Sequence, residues 1–203
     1  MLYIFLNPNK KLNSHISHIL DKSELSYKIY YPSSIDDLHD IDLEHSSSNI
    51  ALSVLSKVIF PEKFLVQFDS AFNIHPGSKD YPGFGYNFAL LNNEKNYGAV
   101  CHYMKKEIDT GDIIIESNFA ISELESVDTL QFKTYFHILI VLMKFINCVK
   151  NKTLFDLKRT EWTRRPYLKK DFLEMIEKIN DKDTKELFTK YPDSDEPLVE
   201  KYF

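Results

Sequence analysis

Short apolar runs separated by polar turns set the pattern of the first half of the chain. Residues 2–6, LYIFL, are β-favouring and close on Asn7 and Pro8, which predicts a central strand. Residues 13–20 carry Ile16, Ile19 and Leu20 at helical spacing and predict one packed helix, and residues 27–31 predict a second strand. The dense apolar run 49–60 ends at Pro61 and predicts a third buried strand, followed by a turn and the start of a helix. A further run, 70–74, follows within about a dozen residues. Strand, helical link and strand in succession imply right-handed βαβ crossovers and a mainly parallel sheet, whose ligands gather beyond the carboxyl ends of the strands.

Downstream, residues 84–91 predict a short helix, and 97–104 and 111–121 two more strands. Residues 130–149 predict a long helix whose stripe of Phe132, Phe136, Leu139, Ile140, Met143 and Ile146 reads as core. The character of the chain changes after Asn151: residues 161–170 are basic and aromatic, 171–179 are helical in period, and 194–203 have the alternation of an edge strand. The expected division is a body over residues 1–150 and an appendage over 151–203 packed back on it.

Composition narrows the partners. With 203 residues, 43% hydrophobic and 14% aromatic, the chain can bury one sizeable core. A net charge of −5 and a pI near 5.8 give no global basic footprint, which disfavours a nucleic-acid partner. Cys101 and Cys148 are far apart and in no metal-like spacing, as expected of a reduced, cytoplasmic protein. The apolar start MLYIFL is too short for a signal peptide or a membrane span. The loop 7–11 contains no glycine, which argues against a dinucleotide cofactor. The acidic stretch 33–48, despite His39 and His45, reads as a solvated helix or loop rather than a metal site.

All five glycines fall within residues 71–115, beside the best candidate chemistry. A strand ending in Asn73-Ile74-His75 and breaking at Pro76-Gly77 puts Asn73 and His75 on one face at its carboxyl edge. With Asp109 they make a set for acyl transfer: an amide donor for an oxyanion, an imidazole for protons, a carboxylate to orient it. No GxSxG motif is present and Cys101 lies mid-strand, so direct attack by a bound amine fits better than a covalent enzyme intermediate. A zinc site of His75, His102 and Asp109 is a rival, without HExxH or CxxC support. So is a purely structural His75 hydrogen-bonded to Asp109.

The stretch FNIHPGSKDYPGFGYNFALLNN, followed by YGAVCHYMKKEIDTGDIII, resembles the formyltransferases that use N10-formyltetrahydrofolate. The likeness rests on Asn73, His75 and Pro76, then Gly98, His102, Met104, Asp109 and Gly111, with SVLSKVIFPEKFL upstream similar to the hydrophobic border of the family's folate pocket. It implies an α/β, Rossmann-like formyltransferase fold with flanking helices and a short C-terminal appendage, here with a shortened N-terminal lobe. Catalysis would fall to Asn73, His75 and Asp109. Leu55, Val58, Ile59, Phe60, Gly111 and Asp112 would surround N10-formyltetrahydrofolate, with no metal, and Tyr81, Phe84, Tyr86 and Asn87 would face the amine.

By the same resemblance the acceptor is expected to be a nucleotide-linked amino-dideoxy sugar used in surface polysaccharides such as lipopolysaccharide O-antigen. A glycinamide ribonucleotide formyltransferase-like enzyme and a non-catalytic folate or nucleotide-sugar binder are the alternatives. Methionyl-tRNA is disfavoured as an acceptor by the acidic chain and by the lack of room for a C-terminal barrel. Arg164 and Arg165 would bind a phosphate or, more in keeping with an acidic body, make a salt bridge. The long helix 130–149 would serve a homodimer or the core equally well.

Overall fold

The computed structural model describes residues 1–8, 12–44 and 48–180. The first apolar run becomes β1 (Leu2–Leu6), buried at every position, as a strand covered on both faces must be. After it, α1 (Leu12–Ser23) buries Leu12, Ile16 and Leu20 on one stripe, and β2 (Tyr27–Tyr30) follows. Of the acidic stretch, Asp36–Leu38 form a single 3-10 turn. β3 spans only Ile50–Val54, so the expected single strand over 49–60 is cut short. Leu55 takes a left-handed φ of 56°, which ends the ladder, and residues 55–60 form a loop despite their apolar character. Pro61 then sits in extended backbone just before the one-turn α2 (Glu62–Leu65).

β4 (Ser70–His75), α3 (Gly85–Leu91), β5 (Asn96–Tyr103) and β6 (Ile113–Ala120) complete the sheet. The strand order is β2-β1-β3-β4-β5-β6. The first four strands are mutually parallel, whereas β5 and β6 run antiparallel to their neighbours. The parallel half follows from crossover connections, and the β5–β6 connection, residues 104–112, is too short for a parallel crossover and imposes reversal. The sheet is therefore mixed, with its parallel part in the N-terminal half.

Alternation along the strands divides the core between the two faces. Leu2, Ile4, Leu6, Leu52, Phe72 and Ile74 pack with α1 and with α4 (Val127–Lys150). Tyr3, Phe5, Ala51 and Ala71 pack on the opposite face with Phe60, Phe64 and Phe68, whose rings meet edge to face. α4 starts on a capping box in which Ser126 and Thr129 satisfy each other's backbone N–H groups. It is long and apolar enough to cross a membrane by length and composition, yet Leu130, Ile138, Val141, Leu142 and Phe145 are fully buried in this protein's own core.

The stripe expected on this helix is rotated. Phe136 and Met143 face outward, because a helix apolar on most sides does not fix its own phase by periodicity. The chain then runs through a 3-10 turn at Leu154–Asp156 to α5 (Lys169–Lys178), which buries Phe172 and Ile176. The edge strand expected over 194–203 lies outside the described residues, as do parts of the loop 7–11 and of the stretch 33–48.

Candidate active site

Strand register assembles the site. On β4, Phe72 and Ile74 enter the core under α4, so Asn73 and His75 share the other face. The antiparallel pairing of β4 with β5 places His102 directly opposite Asn73, and a bulge between Cys101 and His102 re-aims that end of β5. Between the two imidazoles sits Asp109, from the β5–β6 connection. Its Oδ2 lies 3.1 Å from His75 Nδ1 and its Oδ1 3.3 Å from His102 Nε2. Asn73 Nδ2 is 3.2 Å from His102 Nε2. His75, His102 and Asp109 are all buried.

The second nitrogen of each ring faces a backbone carbonyl: His75 Nε2 lies 3.1 Å from the Tyr81 oxygen and His102 Nδ1 2.8 Å from the Tyr103 oxygen. His75 thus has an acceptor at both nitrogens, which favours the doubly protonated imidazolium. Burial works against that charge, but the Asp109 carboxylate outweighs it and raises the His75 pKa above the ordinary histidine range. Burial likewise opposes the charge on Asp109, and the charge of His75, with hydrogen bonds from both histidines, holds its carboxyl well below the usual carboxylate range.

The turn carrying Asp109 is constrained. Asp109 itself adopts a left-handed φ of 49°, a strained conformation for a residue with a Cβ. The Gly83 N–H donates to its Oδ2 at 3.0 Å. Two residues on, a Cβ at Gly111 would stand 1.8 Å from the Tyr103 carbonyl oxygen, so only glycine fits. The Gly111 carbonyl accepts a 2.8 Å hydrogen bond from Trp162 Nε1. The Trp162 ring meets both histidines edge to face, 5.5 Å from His75 and 5.1 Å from His102 between centroids.

A cleft of about 120 Å³ opens onto this cluster. Ser53, Asn73, His102 and Asp109 line its base; Val58, Ile59 and Phe60 form one wall, and the chain from Met104 to Ile108 the other. Lys57, Lys105 and Lys106 add positive charge to the lining. Ile59 is 60% exposed at the mouth among the described residues.

The residues singled out from sequence therefore separate. Asn73, His75 and Asp109 come together, and Val58, Ile59 and Phe60 reach the cleft. Leu55 does not: its left-handed backbone turns it against the core on the α1 and α4 side of the sheet. Gly111 and Asp112 do not line the cleft, and Asp112 is ion-paired to Lys105 and Arg159, each at 3.6 Å.

The structure does not bring Tyr81, Tyr86 and Asn87 to the cleft either. All three are buried: Tyr81, in the loop before α3, and Tyr86 pack in an aromatic cluster with Tyr97, and Asn87 lies on the inward side of α3. Phe84 is half-buried and stacks on Phe172. Arg165 is bound bidentately by Asp171, at 2.8 and 2.9 Å, while Arg164 lies over the rings of Tyr81 and Tyr167. Trp162 carried no motif, so nothing local in the sequence pointed to its place beside the histidines. His102 was visible only as a spacing match and a possible metal ligand. Among the described residues no group of three or more His, Cys, Asp or Glu is arranged to hold a metal ion, and both nitrogens of His75 are already turned to other partners.

A mixed α/β sheet with a buried His–Asp–His cluster beside a half-buried Asn73 is an arrangement suited to acyl-group chemistry. The formyl transferase family profile matches residues 21–145, more than half of the chain, and the chain belongs to that family. A methionyl-tRNA formyltransferase of Streptococcus suis is 28% identical over 111 residues, covering 53% of this chain and 35% of that protein. The chain thus spans about a third of the length of the curated relatives it matches.

Among solved structures, a 4-N formyltransferase from Francisella tularensis superimposes with a TM-score of 0.68 at 21% identity, covering 92% of this chain and 85% of that one. The N-formyltransferase of Helicobacter canadensis, in complex with folinic acid and dTDP-3-aminofucose, gives a TM-score of 0.66 at 18% identity, over 84% of this chain and 71% of that one. At these identities the structural likeness is one of fold.

Proposed function

We propose that this protein transfers the formyl group of N10-formyltetrahydrofolate to the primary amine of a nucleotide-linked amino sugar. The observation that carries the reading is the base of a cleft made by Asn73, His102 and Asp109, with His75 paired to Asp109 beneath it, one apolar wall and three lysines. In this reading the flat pterin and benzoyl rings lie against Val58, Ile59 and Phe60, and the two carboxylates of the folate's glutamate meet Lys57, Lys105 and Lys106. The folinic acid and the nucleotide-linked amino sugar bound by the Helicobacter canadensis protein support both ligand assignments. The acidic charge of the chain supports a small acceptor over tRNA.

The chemistry follows from the donors present. The acceptor amine attacks the formyl carbon, and charge develops on the formyl oxygen. Asn73 Nδ2 and a proton of the His75 imidazolium would stabilise that oxyanion, the His75 Nε2–H exchanging its bond to Tyr81 for one to the substrate. The C–N bond to the acceptor forms as the bond to folate N10 breaks. The proton lost by the ammonium is carried by a water to N10 as that bond breaks, with the Asp109 charge holding the His75 imidazolium in place. His102 would hold Asp109 and Asn73 in place. The body over residues 1–150 would carry these groups, and the chain beyond 151 would close over them.

The test is a formyl-transfer assay from N10-formyltetrahydrofolate to nucleotide-linked amino sugars, glycinamide ribonucleotide and methionyl-tRNA. Turnover on an amino sugar, lowered on the order of 100-fold or more in Asn73→Ala, His75→Ala and Asp109→Ala, is expected. Turnover of another acceptor instead would overturn the sugar assignment. Folinic acid binding with no turnover on any amine would make the chain a folate binder.

A further inference from the structure

The catalytic set proposed above is drawn from residues 73–109, yet the ring that touches both of its histidines comes from much later in the chain. We infer that Trp162 is a positioning residue for the His75–Asp109–His102 cluster, holding the imidazoles by its edge and the Asp109–Gly111 turn by its indole N–H. The inference rests on the formyl-transfer reading for its kinetic consequence, but not for its geometry.

Three observations carry it. First, one ring contacts both imidazoles at steep angles, 80° to His75 and 74° to His102, so each histidine is braced against rotation. Second, the same indole donates to Gly111 O at 2.8 Å, two residues beyond an Asp109 that is itself in a left-handed backbone conformation. A strained residue keeps its conformation only where its surroundings over-determine it, and Trp162 and the Gly83 N–H are two such constraints.

Third, the segment that carries Trp162 is tied down on both sides of the site. Thr160 and Ile113 exchange two backbone hydrogen bonds of 2.8 Å, and Thr163 donates from its N–H to Lys79 O at 3.2 Å and from its hydroxyl to Asp80 at 2.7 Å. Farther on, Tyr167 N donates to Pro82 O and Phe84 N to Tyr167 O, both at 3.0 Å, and the Tyr167 ring stacks on Phe88 at 3.9 Å. Residues 160–167 thus cross from the start of β6 to the loop between β4 and α3, with Trp162 midway above the two histidines. A merely space-filling aromatic would need neither the indole N–H nor this double anchorage.

Trp162 is the only tryptophan of the chain, so its emission reports on this site alone. A protonated imidazole in contact with an indole quenches its fluorescence. The titratable groups in contact with the indole are His75 and His102, with Asp109 bonded to both; Asp112 pairs with Lys105 and Arg159.

The experiment has two arms. In the first, emission of the full chain is followed from pH 5 to 9, with Asp109→Asn and His75→Gln alongside. Quenching should be relieved as pH rises, with a midpoint above the ordinary histidine value of about 6.5, and the transition should move down in Asp109→Asn and lose amplitude in His75→Gln. Emission that ignores pH, or a transition unchanged in His75→Gln, would overturn the contact.

In the second arm, Trp162→Phe keeps a ring edge and loses the hydrogen bond, while Trp162→Ala loses both. With thermal melts confirming that each is folded, kcat should fall in the order wild type, Phe, Ala, the last by on the order of 100-fold. KM for the folate should change little. The basic limb of the kcat profile should shift downward in Trp162→Ala, as water weakens the His75–Asp109 pair and His75 returns toward its ordinary pKa. Wild-type kcat and an unshifted profile in both variants would overturn the positioning role. If the wild type transfers formyl to no acceptor, the functional reading fails, and the emission arm alone decides whether Trp162 senses the histidines.

Discussion

Asp109 is the residue on which the site's electrostatics turn, since it is the shared partner of two buried imidazoles. The His75 pKa is raised, so its share of stability is complete below about pH 6.5 and is lost as pH rises through its folded value. The Asp109 pKa is lowered, so its share is present above about pH 4 and is lost as pH falls toward its folded value. Between those limits the pair contributes in full. Urea unfolding of Asp109→Asn should show a loss of about 3–5 kcal/mol near pH 5, the cost of leaving one partner of a buried pair alone, and a smaller loss near pH 9. Equal losses at both pH values would mean that His75 does not change charge between them.

Gly111 offers a steric check on the same turn. Gly111→Ala drives a Cβ to 1.8 Å from the Tyr103 oxygen, so the β5–β6 connection must open; transfer activity should be lost even where the melt shows a folded chain. At this scale the sequence was readable where chemistry was local. Asn73 and His75 two apart on a strand end had to share a face. His102 joined them through antiparallel register, and Trp162 through a loop crossing, neither of which spacing along the chain encodes.

Elements were legible in kind and less so in extent. Each predicted strand and helix among the described residues has its counterpart, because alternation and helical spacing are strong signals over five or more residues. Run 49–60 failed at its second half. Ser56 and Lys57 follow a left-handed Leu55, and the apolar residues beyond them were committed to the cleft wall and the second core cluster rather than to a ladder. In α4 the phase failed instead: so many positions are apolar that two stripes compete, and only packing on β5 and β6 decides between them.

That decision can be measured. Phe145→Ala, which empties a fully buried ring in contact with Phe72, should cost about 3–5 kcal/mol in denaturant unfolding. Phe136→Ser on the outer face should stay within about 0.5 kcal/mol. Comparable costs at the two positions would mean that Phe136 is covered in solution, as by a second copy of the chain.

On the scale of the whole molecule, a net charge of −5 coexists with a cleft whose lining includes Lys57, Lys105 and Lys106. The acidic groups nearby offset part of this: Glu107 shares the lining, Asp112 pairs with Lys105 and Arg159, and Asp109 is paired with His75. A folate would enter with its glutamate carboxylates toward these lysines and its rings toward Ile59, so binding should divide into a salt-sensitive part and a salt-insensitive part. Exposed pairs of this kind contribute about 0.2–1 kcal/mol each, and less at high ionic strength. Folinic acid binding measured by calorimetry should therefore weaken several-fold between low and high salt, and Lys106→Ala should flatten that dependence while weakening low-salt binding only a few-fold. Ile59→Ser should weaken binding equally at both salt concentrations, because the contact it removes is apolar. The reverse pattern, with salt dependence intact in Lys106→Ala and altered in Ile59→Ser, would place the glutamate of the folate at the other end of the cleft.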